Sequence, residues 1–232
     1  MPRRAVLFDV DGTLVDSVYQ HVAAWCEVLE RTGIAFPAWR IHRRIGLGGE
    51  LFVEALLADT GRTATPAAVK RLLRRHDSAF ARRARQVKAL PGARELLRFL
   101  SKAGVPWALA TSGRAEDARP ALEALGLRSG VAVVTGDEVA HAKPAPDLFV
   151  AAAERLGVPV AASLIVGDSV WDFTAARQVG ADGVGLLSGG YGRDELVHAG
   201  AARVYQDPAD LLRRIGDLGV GRPAPTRALE AS

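Results

Sequence analysis

Short apolar runs of strand length alternate along this chain with segments of helical periodicity. The runs cover residues 5–10, 106–110, 131–135, 164–166 and 183–187. They are continuous rather than alternating, as strands buried on both faces of a parallel sheet should be. Helical patterns follow them, for example over 115–125, 147–156 and 172–179. Such strand-helix alternation predicts an α/β fold, a doubly wound parallel-sheet (Rossmann-like) core.

One interval breaks the rhythm. Between the first run and Leu90-Pro91-Gly92, helical patterns occupy 18–31, 50–59 and 66–85, with no strand signal among them. Leu72, Leu73 and His76 share a helical face, with Phe80 one turn on. The division expected is an α/β catalytic core of residues 1–15 and 89–219, an all-helical cap of 16–88 inserted after the first strand, and a flexible C-terminal tail of 220–232. The tail is expected because Gly221-Arg222-Pro223-Ala224-Pro225 is polar and Pro-rich. An insert at that point lies above the carboxyl ends of the strands, where open α/β sheets bind ligands. It is therefore a candidate lid.

Composition narrows the class. Apolar residues make up 49% and charged residues 24%, an ordinary globular balance. The single cysteine, Cys26, lies in an apolar stretch and allows neither an intrachain disulfide nor a thiolate metal site. No run approaches the ~20 apolar residues of a membrane helix, and Asp9 interrupts the N-terminal apolar run too early for a signal peptide. A cytoplasmic, non-membrane monomer is expected. The net charge of +4 is uneven: residues 16–88 carry +6 and the remainder −2. That excess can attract an anionic small substrate, although the plain reading of most of these arginines is a solvated helix face. Nucleic-acid binding is not expected, because no stacking aromatics interleave the basic residues.

The candidate chemistry sits at strand ends. Phe8-Asp9-Val10-Asp11-Gly12-Thr13 puts two carboxylates two residues apart, hence on one face of an extended chain, before an Asp-Gly turn. Like charges so close need a cation or a shared proton. Ala110-Thr111-Ser112-Gly113 offers hydroxyls and backbone N–H groups for phosphate oxygens. Lys143, held before Pro144 and Pro146, is a candidate counter-ion. Ile165-Val166-Gly167-Asp168-Ser169, followed by Asp172, supplies oxygen ligands suited to Mg²⁺. Each piece is ambiguous alone. Together they fall at the carboxyl ends of the expected strands, where chance would scatter them.

In this order, with room for a helical cap after the first motif, the four elements resemble the haloacid dehalogenase-like superfamily of phosphotransferases. The resemblance implies catalytic roles for Asp9 (nucleophile), Asp11 (general acid/base) and Lys143 (which steadies nucleophile and phosphate). It implies phosphate binding by Ser112 or Thr111 with Gly113, and a Mg²⁺ site from Asp9, the main chain of Asp11, Asp168 and Asp172. The implied activity is a Mg²⁺-dependent phosphatase passing a phosphoryl group from a small phosphorylated metabolite through Asp9 to water. Asp11 argues against dehalogenation, whose enzymes lack an acid at the matching position. A phosphonate-cleaving reaction would need a cap lysine, and neither Lys70 nor Lys88 has supporting context.

For the substrate, Arg43-Arg44-Ile45-Gly46-Leu47-Gly48-Gly49 is the best local signal: a tight loop whose Gly48 approaches the substrate, with Arg44 or Arg43 binding a second anionic group. Val15-Asp16-Ser17, with His21 and Trp25, resembles both phosphoglycolate phosphatases and β-phosphoglucomutases. A phosphomutase is thus an alternative, weakened because Leu47-Gly48-Gly49 stand where the mutases place an arginine. A catalytically silent binding protein on the same fold is a further one.

Overall fold

The computed structural model describes residues 4–127 and 130–220. Apart from Val220, the expected tail lies outside them. The chain runs β1 (Val6–Phe8), β2 (Val15–Asp16), α1 (Val18–Glu30), α2 (Ala38–His42), α3 (Gly49–Ala58), α4 (Pro66–Ala81), β3 (Lys88–Ala89), α5 (Ala93–Lys102), β4 (Trp107–Ala110), α6 (Ala115–Leu125), β5 (Val133–Val134), α7 (Asp147–Arg155), β6 (Leu164–Gly167), α8 (Val170–Gln178), β7 (Asp182–Leu186), α9 (Arg193–Ala199), β8 (Ala201–Tyr205) and α10 (Pro208–Arg213).

Six strands form one parallel sheet in the order β5-β4-β1-β6-β7-β8. The fold is the expected α/β doubly wound core. Strand β1 is central, pairing Phe8 with Leu109 on one side and Val166 on the other. Its residues are buried on both faces, which explains the unbroken apolar run. Strands β4 and β5 are added on one side of β1 and β6, β7 and β8 on the other, so β1, β4 and β6 open a crevice at their carboxyl ends.

Strand β8 was not expected. Ala202 and Arg203 are exposed on this edge strand, so it lacks the apolar run that betrays a buried one. Helix α5 also escaped the sequence reading, although it buries Ala93, Leu96, Leu97 and Leu100 at helical spacing. The helices α1 to α4 leave and rejoin the core through a two-stranded antiparallel ladder, in which Val15 pairs with Ala89 and Asp16 with Lys88. The expected boundaries at 15/16 and 88/89 fall inside this ladder. Within the insert, α4 begins cleanly because Thr65 accepts the Ala68 N–H and Pro66 occupies the first turn.

Replacing Phe8, fully buried at the centre of the sheet, by Ala should cost about 3–5 kcal/mol. The exposed Trp39 replaced by Ala should stay within about 0.5 kcal/mol of wild type. Urea denaturation of both variants checks the pair, and equal losses would contradict this placement of the core.

Candidate active site

Three strand ends deliver the acids. Beyond β1, Asp9 is 6% exposed and donates its N–H to Val166 O at 2.9 Å, which ties it to β6. Beyond β6, Asp168 and Asp172 are also buried. Ser169 caps α8: Asp172 Oδ2 accepts its N–H at 3.1 Å and its hydroxyl at 2.7 Å. This Ser-x-x-Asp pattern was legible in the sequence as a capping signal, and it is what aims Asp172.

Lys143 is wholly buried among these groups. Its ammonium donates to Asp9 Oδ1, lies 2.8 Å from Asp172 Oδ1 and reaches Ala110 O at 3.3 Å. Burial works against its charge, but the Asp172 and Asp9 carboxylates outweigh it and raise the lysine above its ordinary value. Thr13 Oγ1 is 2.8 Å from Asp168 Oδ1 and 3.1 Å from Asp9 Oδ2, bridging the two acids.

Oxygens of Asp9, Asp168 and Asp172 lie within 4.8 Å of one another. The donor set fits a hard divalent cation, which takes carboxylate oxygens. Their electrostatics agree. Burial, then the Asp172 and Asp11 charges, push Asp9 up to about 7 despite Lys143. Burial and the Asp9 charge hold Asp168 well above its ordinary value. Gly12 makes room for this cluster. Its φ is +81°, and a Cβ there would fall 2.5 Å from Asp168 Oδ2, so only glycine closes the turn without displacing the acid.

Asp11 points elsewhere. Its carboxylate accepts from Ser17 Oγ at 2.5 Å and Thr111 Oγ1 at 3.3 Å, and meets His21 Nε2 at 3.4 Å. Burial alone would raise Asp11. The hydrogen bond and charge of His21, with the two hydroxyls, overcome that and hold it near 2. His21 stacks on Phe80, ring centroids 3.8 Å apart, and its Nδ1 lies 3.2 Å from His76 Nε2. It therefore both packs in the cap and reaches the core acid. His76, lowered to about 4 by burial, continues to Asp77 at 3.4 Å.

A cleft of about 770 Å³ lies beside this cluster, bordered by Thr111, Ser112 and Gly113 of the core and by Gly46, Leu47 and Gly48 of the insert; the buried acids and Lys143 do not themselves line it. Thr111 Oγ1 accepts the Gly113 N–H at 3.0 Å, while Ser112 Oγ donates to Gly46 O at 3.0 Å. Gly48 donates its N–H to Lys143 O at 2.9 Å, so the cap loop seats on the lysine's own backbone. At Gly46 the φ is +98° and a Cβ would lie 2.9 Å from Ser169 Oγ. The tight loop expected from the glycines is present.

Arg44 was expected near the substrate, and the structure places it elsewhere. It does not border the cleft. Its guanidinium is held by Asp59, at the end of α3, and by Arg40 O at 3.0 Å. Arg43 likewise pairs with Glu195 and lies over the Tyr191 ring at 4.0 Å. The cations that do border the cleft are Lys70, Arg74 and Arg114, alongside Asp77 and Asp117. Burial, then the nearby Asp77, raises Asp117 to about 6. No motif in the sequence marked these, since only the α4–α6 juxtaposition brings them together.

The parallel α/β core thus carries a buried carboxylate–lysine cluster at the carboxyl ends of its strands, next to a helical insert. A family model for haloacid dehalogenase-like hydrolases matches residues 3–180. A phosphoglycolate phosphatase of Rhodospirillum rubrum is 34% identical over 98% of this chain and 95% of its own. Hexitol phosphatase A of Escherichia coli is 33% identical over 72% of this chain and 74% of its own. The crystal structure of a hydrolase from Pseudomonas syringae is 47% identical, with a TM-score of 0.91, covering 93% of this chain and 99% of that one. The chain belongs to the haloacid dehalogenase-like hydrolase family, and within it is a phosphatase, a phosphoric monoester hydrolase.

The cluster makes stability depend on pH and cation together. With Asp9 raised to about 7 from 3.8, the metal-free fold keeps a proton that the unfolded chain has lost. This group therefore erodes stability as pH rises from about 4 through 7, and a cation that binds the carboxylates removes the loss. The melting-temperature gain from Mg²⁺ over chelator should accordingly grow between pH 5 and pH 7.5. A gain independent of pH would mean that the cation binds elsewhere.

Proposed function

We propose that this protein hydrolyses a small phosphorylated carboxylic acid or sugar, of the phosphoglycolate or sugar-phosphate kind, using Mg²⁺. The observation that carries the reading is the cluster of Asp9, Asp168 and Asp172, with Lys143 paired to Asp9 and Asp172, at the carboxyl ends of the strands. Its nearest support on substrate is the likeness to phosphoglycolate phosphatase along nearly the whole chain. A reducing cytoplasmic setting accords with the lone thiol, Cys26.

In this reading Asp9, Asp168, Asp172 and the main chain of Asp11 hold the Mg²⁺. When bound, the cation offsets charge on the carboxylates and on the phosphoryl oxygens. Lys143 favours the ionised form of Asp9, against its burial, and orients it. Asp9 attacks phosphorus, the bond from phosphorus to the leaving oxygen breaks, and an aspartyl-phosphate forms. Thr111, with the backbone of Ser112 and Gly113, receives the phosphate oxygens. Ser112 Oγ has a second task, holding the lid loop through Gly46 O.

Asp11 gives its proton to the leaving oxygen and later takes one from the water that releases phosphate. Alone in the site it is ionised. A phosphate dianion arriving beside it raises its proton affinity, because like charge disfavours the carboxylate. His21, Ser17 and Thr111 aim the same group, so it can serve as acid first and base second. Hydrolysis is favoured over a mutase because Leu47, Gly48 and Gly49 bring no cation to the place where the mutases hold a second phosphate.

Asp9→Asn should lower phosphate release by on the order of a thousandfold or more while the protein stays folded. Release from phosphoglycolate, a hexitol phosphate and a sugar phosphate, each with Mg²⁺ and with chelator, checks this and ranks the substrates. Full activity in the variant would remove the covalent step, unchanged rates in chelator would remove the metal, and a requirement for a sugar bisphosphate would make the protein a mutase.

A further inference from the structure

The arginines of the cap do not spread evenly over its surface. Helix α4 has two faces. Val69, Leu72, His76, Ala79 and Phe80 are buried. Arg71, Arg74, Arg75, Ser78 and Arg82 line an opposite groove of about 430 Å³, completed by Glu27, Val28 and Arg31 of α1 and its end. These positions recur at three- and four-residue spacing, so their side chains stand along one stripe. Five guanidiniums therefore face one carboxylate.

That carboxylate is already committed. Glu27 accepts from Arg31 at 3.0 Å, from Arg82 at 2.5 Å and from Arg83 at 2.9 Å, and these contacts hold it below its ordinary value. Among the described residues, the guanidiniums of Arg71, Arg74 and Arg75 have no carboxylate within ion-pair distance. The three side chains are exposed on one stripe, and the helix is held by its other face. A guanidinium fork matches phosphate oxygens better than any other anion except a carboxylate.

From this we infer that the α1–α4 groove is a binding site for a small polyphosphate anion. The assignment to a small ligand follows from the lining. The groove holds no aromatic side chain on which a base could stack, as single-stranded nucleic acid would require. The site is separate from the cleft and does not depend on which phosphoester the cleft hydrolyses. The two are adjacent, however: Arg74 borders both. An anion in the groove would draw Arg74 away from the cleft, giving the lid a means of sensing it.

The test is isothermal titration of the full-length protein with inorganic tripolyphosphate in chelator at low salt. Wild type is compared with the double variant Arg71→Ala/Arg75→Ala, neither residue bordering the cleft. Binding should weaken at least about tenfold in the variant, the loss expected from two charge-assisted hydrogen-bonding partners. An Arg71→Lys/Arg75→Lys variant, with charge but no fork, should fall between the two, and circular dichroism verifies that each is folded. ATP binding as well as tripolyphosphate would place the source among nucleotides, and AMP should not bind. Absence of binding by wild type would overturn the proposal. So would undiminished binding by the alanine variant, which would put the anion in the cleft, or tighter binding of a single-stranded oligonucleotide.

Discussion

The buried ammonium of Lys143 between Asp9 and Asp172 is the contact on which the rest of the site depends. Burying any one of these charges alone would cost several kcal/mol, far more than a loop at a strand tip can supply. Together, three carboxylates and one ammonium leave two net negative charges in a space less than 5 Å across. That residue of charge equals what a divalent cation brings. The site is thus electrostatically suited to one divalent cation, and the raised acids reflect the like charges left without it.

Such an arrangement is possible only where backbone geometry over-determines it. Asp9 leaves β1 and Asp168 leaves β6, two strands hydrogen-bonded to each other, so the separation of their carboxylates is set by strand spacing. Lys143 comes from the β5–α7 connection and enters from β4's side, where Ala110 O steadies it. Asp172 is fixed one helical turn further on by its capping bonds to Ser169. No flexible loop carries an essential carboxylate unaided.

This logic explains what could be read from the sequence. Buried parallel strands announce themselves as unbroken apolar runs, and an acid directly after such a run must lie at the crevice. Asp9 and Asp168 were therefore visible before any coordinates, whereas Lys143 stood out only through the neighbouring Pro144 and Pro146. The edge strand β8 was not, because its exposed face breaks the run. Nor could the sequence say which cap cations reach the cleft. Arg44 stands just before the glycine loop in sequence, yet its side chain pairs with Asp59. Lys70, Arg74 and Asp77 reach the cleft through helix packing, a relation between distant segments that no local pattern encodes.

The division of charge between core and cap follows from the same constraint. Because Lys143 and the cation supply the positive charge at the floor, the lid need not bring an arginine to the phosphate. It contacts the core through backbone groups, Gly46 O and the Gly48 N–H, and through His21, which meets Asp11 at 3.4 Å. The arginines of α4 are then unconstrained by the chemistry beneath them. Their concentration on the opposite face of that helix has to be explained by what meets the cap from outside.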